Sequence, residues 1–235
     1  QTFGAAIDRH HRRHGKRGRE REGDGAGART EIQDTARRGR RPHSLHVRQQ
    51  FLKVAPHLLK ALARAADPEA TLTRFAQIVS NLRAPSVIYD TLLMNPELSG
   101  HLVALVENSE FLSNLLIRDP GLFETFGRAS ALEHASSREE LNEQLDGLLR
   151  AYDRDAAPYR LHTGETLRIG MRDIILGVDV MSIGRELTLL AEVCLDYAIA
   201  KAREKVAVRF GETKTGFAVL ALGKFAGHEL GYGSD

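Results

Sequence analysis

From His46 to Phe210 the chain keeps essentially one period. Apolar residues recur three and four positions apart, and the runs are broken by Pro, by Gly, or by a Ser or Asp placed to cap the next helix. So long a stretch of helical spacing commits most of the chain to α-helix. The short breaks set successive helices beside one another as a multi-helix bundle.

The start signals are specific. Asp67-Pro68-Glu69 offers a capping carboxylate, a proline in the first helical position and an acid at the positive end of the helix. Leu72, Phe75, Ile78, Val79 and Leu82 form the apolar face of that helix. Before it, Phe51, Leu52, Leu58, Leu59, Leu62 and Ala63 mark a first helix, with Pro56 either kinking it or starting another. Short helices are expected over Pro85–Met94, Pro96–Glu107 and, after Ser109, Glu110–Arg118, with a brief turn opened by Asp119-Pro120. Ser137 and Glu140 make a capping box for a helix running to about Tyr152. Two longer helices come next, Pro158–Leu176 and Ser182–Phe210. The inner face of the second reads Ile183, Leu187, Leu190, Ala191, Cys194, Leu195, Ala198 and Ile199, and Gly211 is its stop.

Trp is absent and aromatic residues make only 6% of the chain, so the core is aliphatic, which suits helices better than a sandwich. Cys194 has no partner for an internal disulfide and reads as a buried core thiol. No apolar run approaches the roughly 18 residues of a membrane span, and none follows the basic start as a signal peptide would require. A cytoplasmic protein without a membrane partner is the expectation.

The net charge of +2 hides an asymmetry, because residues 1–48 hold 13 Lys and Arg against 6 Asp and Glu. A basic arm can bind nucleic acid, but this one has no interleaved aromatic residues to stack on bases, so a solvated segment is expected. Residues 1–14 can form a short helix. Residues 15–42 are rich in Gly, Arg and Glu and bury too little to offset their ordering entropy. His10, His11 and His14 have helical spacing for a metal, yet five neighbouring Lys and Arg would repel the cation. The expected organisation is a basic helix and disordered linker over 1–44, a helical domain over 45–211, and the first elements of a mixed domain over 212–235.

The chemistry is concentrated at the end. Phe217 to Leu222 reads as a buried strand and leads into Gly223-Lys224, a Gly-containing turn and Gly233-Ser234-Asp235. A Walker A loop fails, since Phe225 follows the lysine and Ala218 stands where its first glycine belongs. A dinucleotide fingerprint fails on glycine spacing. A nucleotidyltransferase signature fits better: a strand, a glycine with a small residue, about ten residues, then two carboxylates one residue apart. On a strand such carboxylates share a face and can clamp Mg²⁺ against a triphosphate. Here Lys224 takes the small residue's place, ten residues intervene before Asp235, and a second carboxylate would lie past the last residue.

The run from Phe217 to Asp235 resembles a segment of the glutamine synthetase adenylyltransferase family. There Gly-Lys is followed by Leu or Phe, Gly-Gly-Arg-Glu-Leu and, after an aromatic residue, Ser-Asp. Ala226 and His228 are the departures. Asn95-Pro96-Glu97-Leu98, Asn108-Ser109-Glu110-Phe111-Leu112, Arg118-Asp119-Pro120-Gly121-Leu122-Phe123 and Leu167-Arg168-Ile169-Gly170-Met171-Arg172-Asp173-Ile174 are similar to helical runs of the same family. The resemblance covers about Phe51 to Asp235.

It implies a helical bundle leading into the first β-α-β elements of a polymerase-β-like nucleotidyltransferase domain. The family's enzyme has two related catalytic halves, one transferring AMP from ATP to a tyrosine of glutamine synthetase and the other removing it by phosphorolysis. The Gly231–Asp235 run looks more like the adenylylating half. Asp235 would be the first metal-binding carboxylate, with Gly223, Lys224 and Ser234 near the triphosphate, Mg²⁺ as cofactor and ATP as substrate. With one carboxylate the chain by itself is expected to be inactive. Glu229 is read as orienting the turn, Tyr232 as a packing residue and His228 as an exposed cationic position or a nucleotide contact. Arg168 and Arg172 sit four apart on one helix face, within reach of a phosphate, but structural pairing is expected, Arg172 with Asp173 or Glu165. Glutamine synthetase is the implied partner and a PII signal protein a further one. The alternatives are a helical scaffold that docks either protein, and a different nucleotidyltransferase such as a PII uridylyltransferase.

Overall fold

The structure is a computed structural model and describes residues 45–82, 84–123, 132–212 and 216–234. The expectations for residues 1–44, including His10, His11 and His14, lie outside the described residues, as does Asp235.

The helices start where local chemistry places them. Helix α1 spans Leu45–Leu62 and α2 spans Pro68–Asn81, the latter capped by Asp67, whose Oδ1 accepts the Ala70 amide at 2.9 Å. Helices α3 (Pro85–Met94), α4 (Glu97–Asn108) and α5 (Glu110–Arg118) come next, with short breaks. Ser109 Oγ caps α5 by accepting the Leu112 amide at 3.1 Å, and Asp119 opens a single 3₁₀ turn, Pro120–Leu122. Helix α6 (Arg138–Ala151) carries the full capping box: Ser137 Oγ accepts from the Glu140 amide, and Glu140 accepts from the Ser137 amide. Helix α7 is Ala156–Leu176 and α8 is Val180–Phe210, with the Asp179 carboxylate holding the amides of Met181 and Ser182. Gly211 stops α8, and one further turn, α9, spans Gly223–Ala226.

Two apolar clusters make the core. Helices α1 to α5 supply the first, around Ile78, Ile88, Leu102 and Leu116; α6 to α8 supply the second, around Leu141, Leu161, Leu187 and Leu190. Helix α7 belongs to both, giving Leu167 and Met171 to one and Leu161 and Ile169 to the other. That double duty explains why it is buried continuously from Glu165 to Arg172 instead of along one stripe. Gly170 makes the junction possible. A Cβ there would come 2.3 Å from Leu112 Cδ1, so only glycine lets α5 seat this closely on α7.

Several expectations are corrected. The inner row of α1 is Gln50, Val54, Leu58 and Leu62, while Phe51, Leu52 and Leu59 face outward. The row at four-residue spacing faces α3 and α4, and it includes the polar Gln50, which bonds Asp90, so a count of apolar residues misplaced it. Pro56 lies inside one helix and does not start another. On α2 the buried row includes Thr71, whose hydroxyl bonds the Asp67 carbonyl, and Leu72 is exposed. In α8 burial ends at Val193; Cys194 and Leu195 are only partly covered and Ala198 is exposed. The run Phe217–Leu222 is neither buried nor paired among the described residues, and Leu220 is 86% exposed. A strand needs a ladder neighbour to satisfy its amides and carbonyls, and the described residues provide none.

Candidate functional site

Three side chains of α7, Arg168, Arg172 and Asp173, organise the region around the end of the chain. The first two point into the interface with α8. Arg168 donates from Nε to Glu165 Oε2 at 2.8 Å and from Nη2 to Glu186 Oε2 at 2.9 Å; Arg172 Nε donates to the other Glu186 oxygen at 3.0 Å. The Nη1 groups of Arg168 and Arg172 reach the carbonyls of His134 and Leu132, which ties the segment before α6 to α7. Ser136 Oγ donates to Glu165. All four charged groups are nearly inaccessible to solvent. Two cations and two anions in bonded contact cancel, which is the condition under which buried charge is tolerated. This arrangement is structural. Both arginines are in structural pairs, but Arg172 pairs with Glu186 and not with the expected Asp173 or Glu165; Glu165 is bonded by Arg168 instead. Asp173 is the next residue along the helix and points about 100° away, so the two side chains cannot face each other. Glu186 had a legible signal: it is an acid beside the apolar row Ile183–Leu187–Leu190, opposite two arginines one helical turn apart.

Asp173 is left to face the tail. Tyr232 donates its hydroxyl to Asp173 Oδ2 at 3.0 Å, its ring lies 6.2 Å from that of Phe111, and its body packs with Leu230 against the second core cluster. Burial first, then the negative charges of Asp173 and Glu186, push the Tyr232 hydroxyl's pKa well above its ordinary value, so it stays protonated as the donor. Just before it, the Leu230 amide reaches Thr188 Oγ1 at 3.4 Å, a long bond, while that hydroxyl donates to the Gly184 carbonyl at 2.7 Å. Gly184 matters by what it lacks. A Cβ there would lie 3.2 Å from the His228 carbonyl and 3.3 Å from Glu229 Cα, so the tail backbone lies flush on α8. His228 adopts φ 55°, the one non-glycine positive φ among the described residues, and its Nδ1 is 3.9 Å from Glu192.

The anticipated site residues occupy turns on either side of Leu230. Gly223 opens α9 with φ 59°, a conformation glycine enters without strain. Lys224 is exposed, and its carbonyl accepts the Glu229 amide at 2.8 Å, so Glu229 closes the turn through its backbone. Ser234 closes a second turn twice over: its Oγ accepts the Gly231 amide at 3.0 Å and its own amide reaches the Gly231 carbonyl at 3.0 Å. Tyr232 packs, as expected of it. Among the described residues no group of three or more His, Cys, Asp or Glu is placed to hold a metal ion, and no helix is long and apolar enough to cross a membrane.

Residues 99–235 match the family model described as glutamate-ammonia ligase adenylyltransferase. The chain belongs to that family. It is 29% identical over 203 residues to the bifunctional glutamine synthetase adenylyltransferase/adenylyl-removing enzyme of Thioalkalivibrio sulfidiphilus (strain HL-EbGR7), an alignment covering 80% of this chain and 21% of that protein. The chain thus spans about a fifth of the relative's length. The match to the adenylyltransferase family begins within α4 and takes in the whole buried network and the docked tail. The Leu167–Ile174 run through which the chain resembles this adenylyltransferase family is also its physical hub: it holds Glu186 and Glu165, receives Leu112 at Gly170 and takes Tyr232 on Asp173.

Proposed function

We propose that this chain belongs to an enzyme that transfers AMP from ATP to a tyrosine of glutamine synthetase, and that it carries the helical body and leading edge of the adenylylating half. The observation that supports this reading is the seating of the Gly223–Ser234 segment, the part most like the family's site, on α7 and α8 through Tyr232, Leu230 and the flush contact at Gly184. A rigid seat is what a transfer reaction between two bound groups asks of its protein.

In this reading the exposed Lys224 ammonium meets the charge of the triphosphate, Gly223 lets the backbone approach it, and Ser234 leads the chain to Asp235. The exposed Phe217–Leu222 run becomes a strand of the nucleotidyltransferase sheet once neighbouring strands cover it. Mg²⁺ would supply charge neutralisation on the phosphates. The described residues alone do not make up its ligand set, so Asp235 and further carboxylates would have to hold it, and no step is derived through the ion.

The test uses the complete enzyme with radiolabelled ATP, Mg²⁺ and glutamine synthetase. Asp235→Asn is expected to lower AMP incorporation about a hundredfold or more while adenylyl removal persists. The reverse pattern would place the chain in the removing half. Transfer from UTP to a PII protein, with none from ATP to glutamine synthetase, would replace the proposed substrates.

A further inference from the structure

We infer that Tyr232 is a positioning residue for nucleotidyl transfer, holding the Gly231–Ser234 turn on the helical body through its hydroxyl bond to Asp173 of α7. The inference rests on the functional reading above and adds to it a residue outside the anticipated site.

Among the described residues the turn has little else to hold it. Gly231 and Gly233 carry no side chains, and Ser234 spends its hydroxyl and amide on closing the turn upon Gly231. Tyr232 is the one side chain within 231–234 that reaches the helices, and the nearest further hydrogen bond to them is the long one from the Leu230 amide to Thr188. Flanking glycines leave the backbone free to swing about many torsions. The direction in which Ser234 leaves the body is therefore set largely by where the Tyr232 ring and hydroxyl are fixed.

Two contacts do the fixing, and they separate cleanly. The ring packs near Phe111 and into the α6–α8 cluster, which any phenyl side chain would retain. The hydroxyl bond to Asp173 is directional and ties the turn to the helix whose other face carries the Arg168–Arg172–Glu186 network. Asp173 is thus held on a helix whose rotation and register are locked by buried, bonded charges. A displacement of about 1 Å in a reacting assembly can cost about a hundredfold in rate, so loss of the directional contact acts on turnover more than on folding.

The experiment compares Tyr232→Phe, Asp173→Asn and Asp173→Leu with wild type in the complete enzyme. AMP transfer to glutamine synthetase, thermal unfolding and amide hydrogen exchange are each followed. Tyr232→Phe is expected to lower kcat about 10- to 100-fold with KM for ATP within about threefold, to shift Tm by less than about 3 °C, and to speed exchange at 230–234 while α7 and α8 stay protected. Asp173→Asn keeps an acceptor oxygen and is expected to retain most of the activity, whereas Asp173→Leu copies Tyr232→Phe and the pair is non-additive. Full activity in Tyr232→Phe, or equal losses in Asp173→Asn and Asp173→Leu, would overturn the positioning role alone. A wild-type enzyme that transfers no AMP to glutamine synthetase would overturn the functional reading and the role of Tyr232 with it.

Discussion

Helices α6 to α8 and the tail that lies on them share one apolar cluster, yet different forces hold them. Within the helical body, capped helices bury aliphatic rows on each other, and four charged groups are sealed between α7 and α8 with their bonds satisfied. Among the described residues the tail is attached by the side chains of Leu230 and Tyr232, one long amide bond, the 3.9 Å approach of His228 to Glu192 and a backbone lying on a glycine. Much of its apolar surface, including Phe217, Leu220 and Leu222, faces outward. The Arg203 guanidinium lies over the Phe217 ring at 5.9 Å. A body with redundant contacts can carry a segment with few, and such a segment can be released or repositioned by small changes.

The contrast predicts its largest effect at Glu186. Replacing it with alanine leaves Arg168 and Arg172 buried with one carboxylate, Glu165, between them, and uncompensated buried charge costs about 3–5 kcal/mol. Urea unfolding of Glu186→Ala should show a loss of that size. A loss below about 1 kcal/mol would mean that apolar packing alone holds α7 to α8, and the distinction between body and tail would narrow.

Gly170 ranks second. Gly170→Ala drives a methyl into Leu112, and overpacking of this kind costs about 1–3 kcal/mol despite alanine's better helix propensity. In a Leu112→Ala background the methyl has room, so the same substitution should become neutral or stabilising. Additive costs would show that α5 shifts as a body to accommodate the methyl, and that the seat is less rigid than its geometry implies.

Legibility in the sequence divides along the same line. Helix starts were readable because Asp67, Ser109 and Ser137 act within three residues of themselves, and local chemistry is written locally. The faces of α1 and α8 are less so, because which row is buried depends on neighbours: Gln50 is buried for Asp90 on α3, and Glu186 for the two arginines it meets across the α7–α8 interface. The role of Arg172 was half visible: an arginine one turn from another suggests pairing, while the choice of Glu186 needs the α7–α8 crossing. Gly184 and Asp173 gave no signal of their own, since what they accommodate is a backbone and a hydroxyl roughly 45–60 residues later. Gly223 and Lys224 are legible from the strand, glycine and ten-residue spacing before Asp235, Ser234 from the run shared with a family, and their geometry adds the turns they close.

The smallest effect is expected in the tail and is the most informative. Leu220 is almost fully exposed, so Leu220→Ser in this chain removes no buried surface and should change the unfolding free energy by less than about 0.5 kcal/mol. If Phe217–Leu222 becomes a covered strand in the complete enzyme, the same substitution there deletes a buried leucine side chain and should cost about 2–5 kcal/mol. Chemical denaturation of both proteins, each with and without the substitution, reads the difference directly. A silent result in both would leave the run a surface segment and remove the sheet from the proposed site. A cost in the longer protein alone would show that the run is buried there, as the proposed sheet requires.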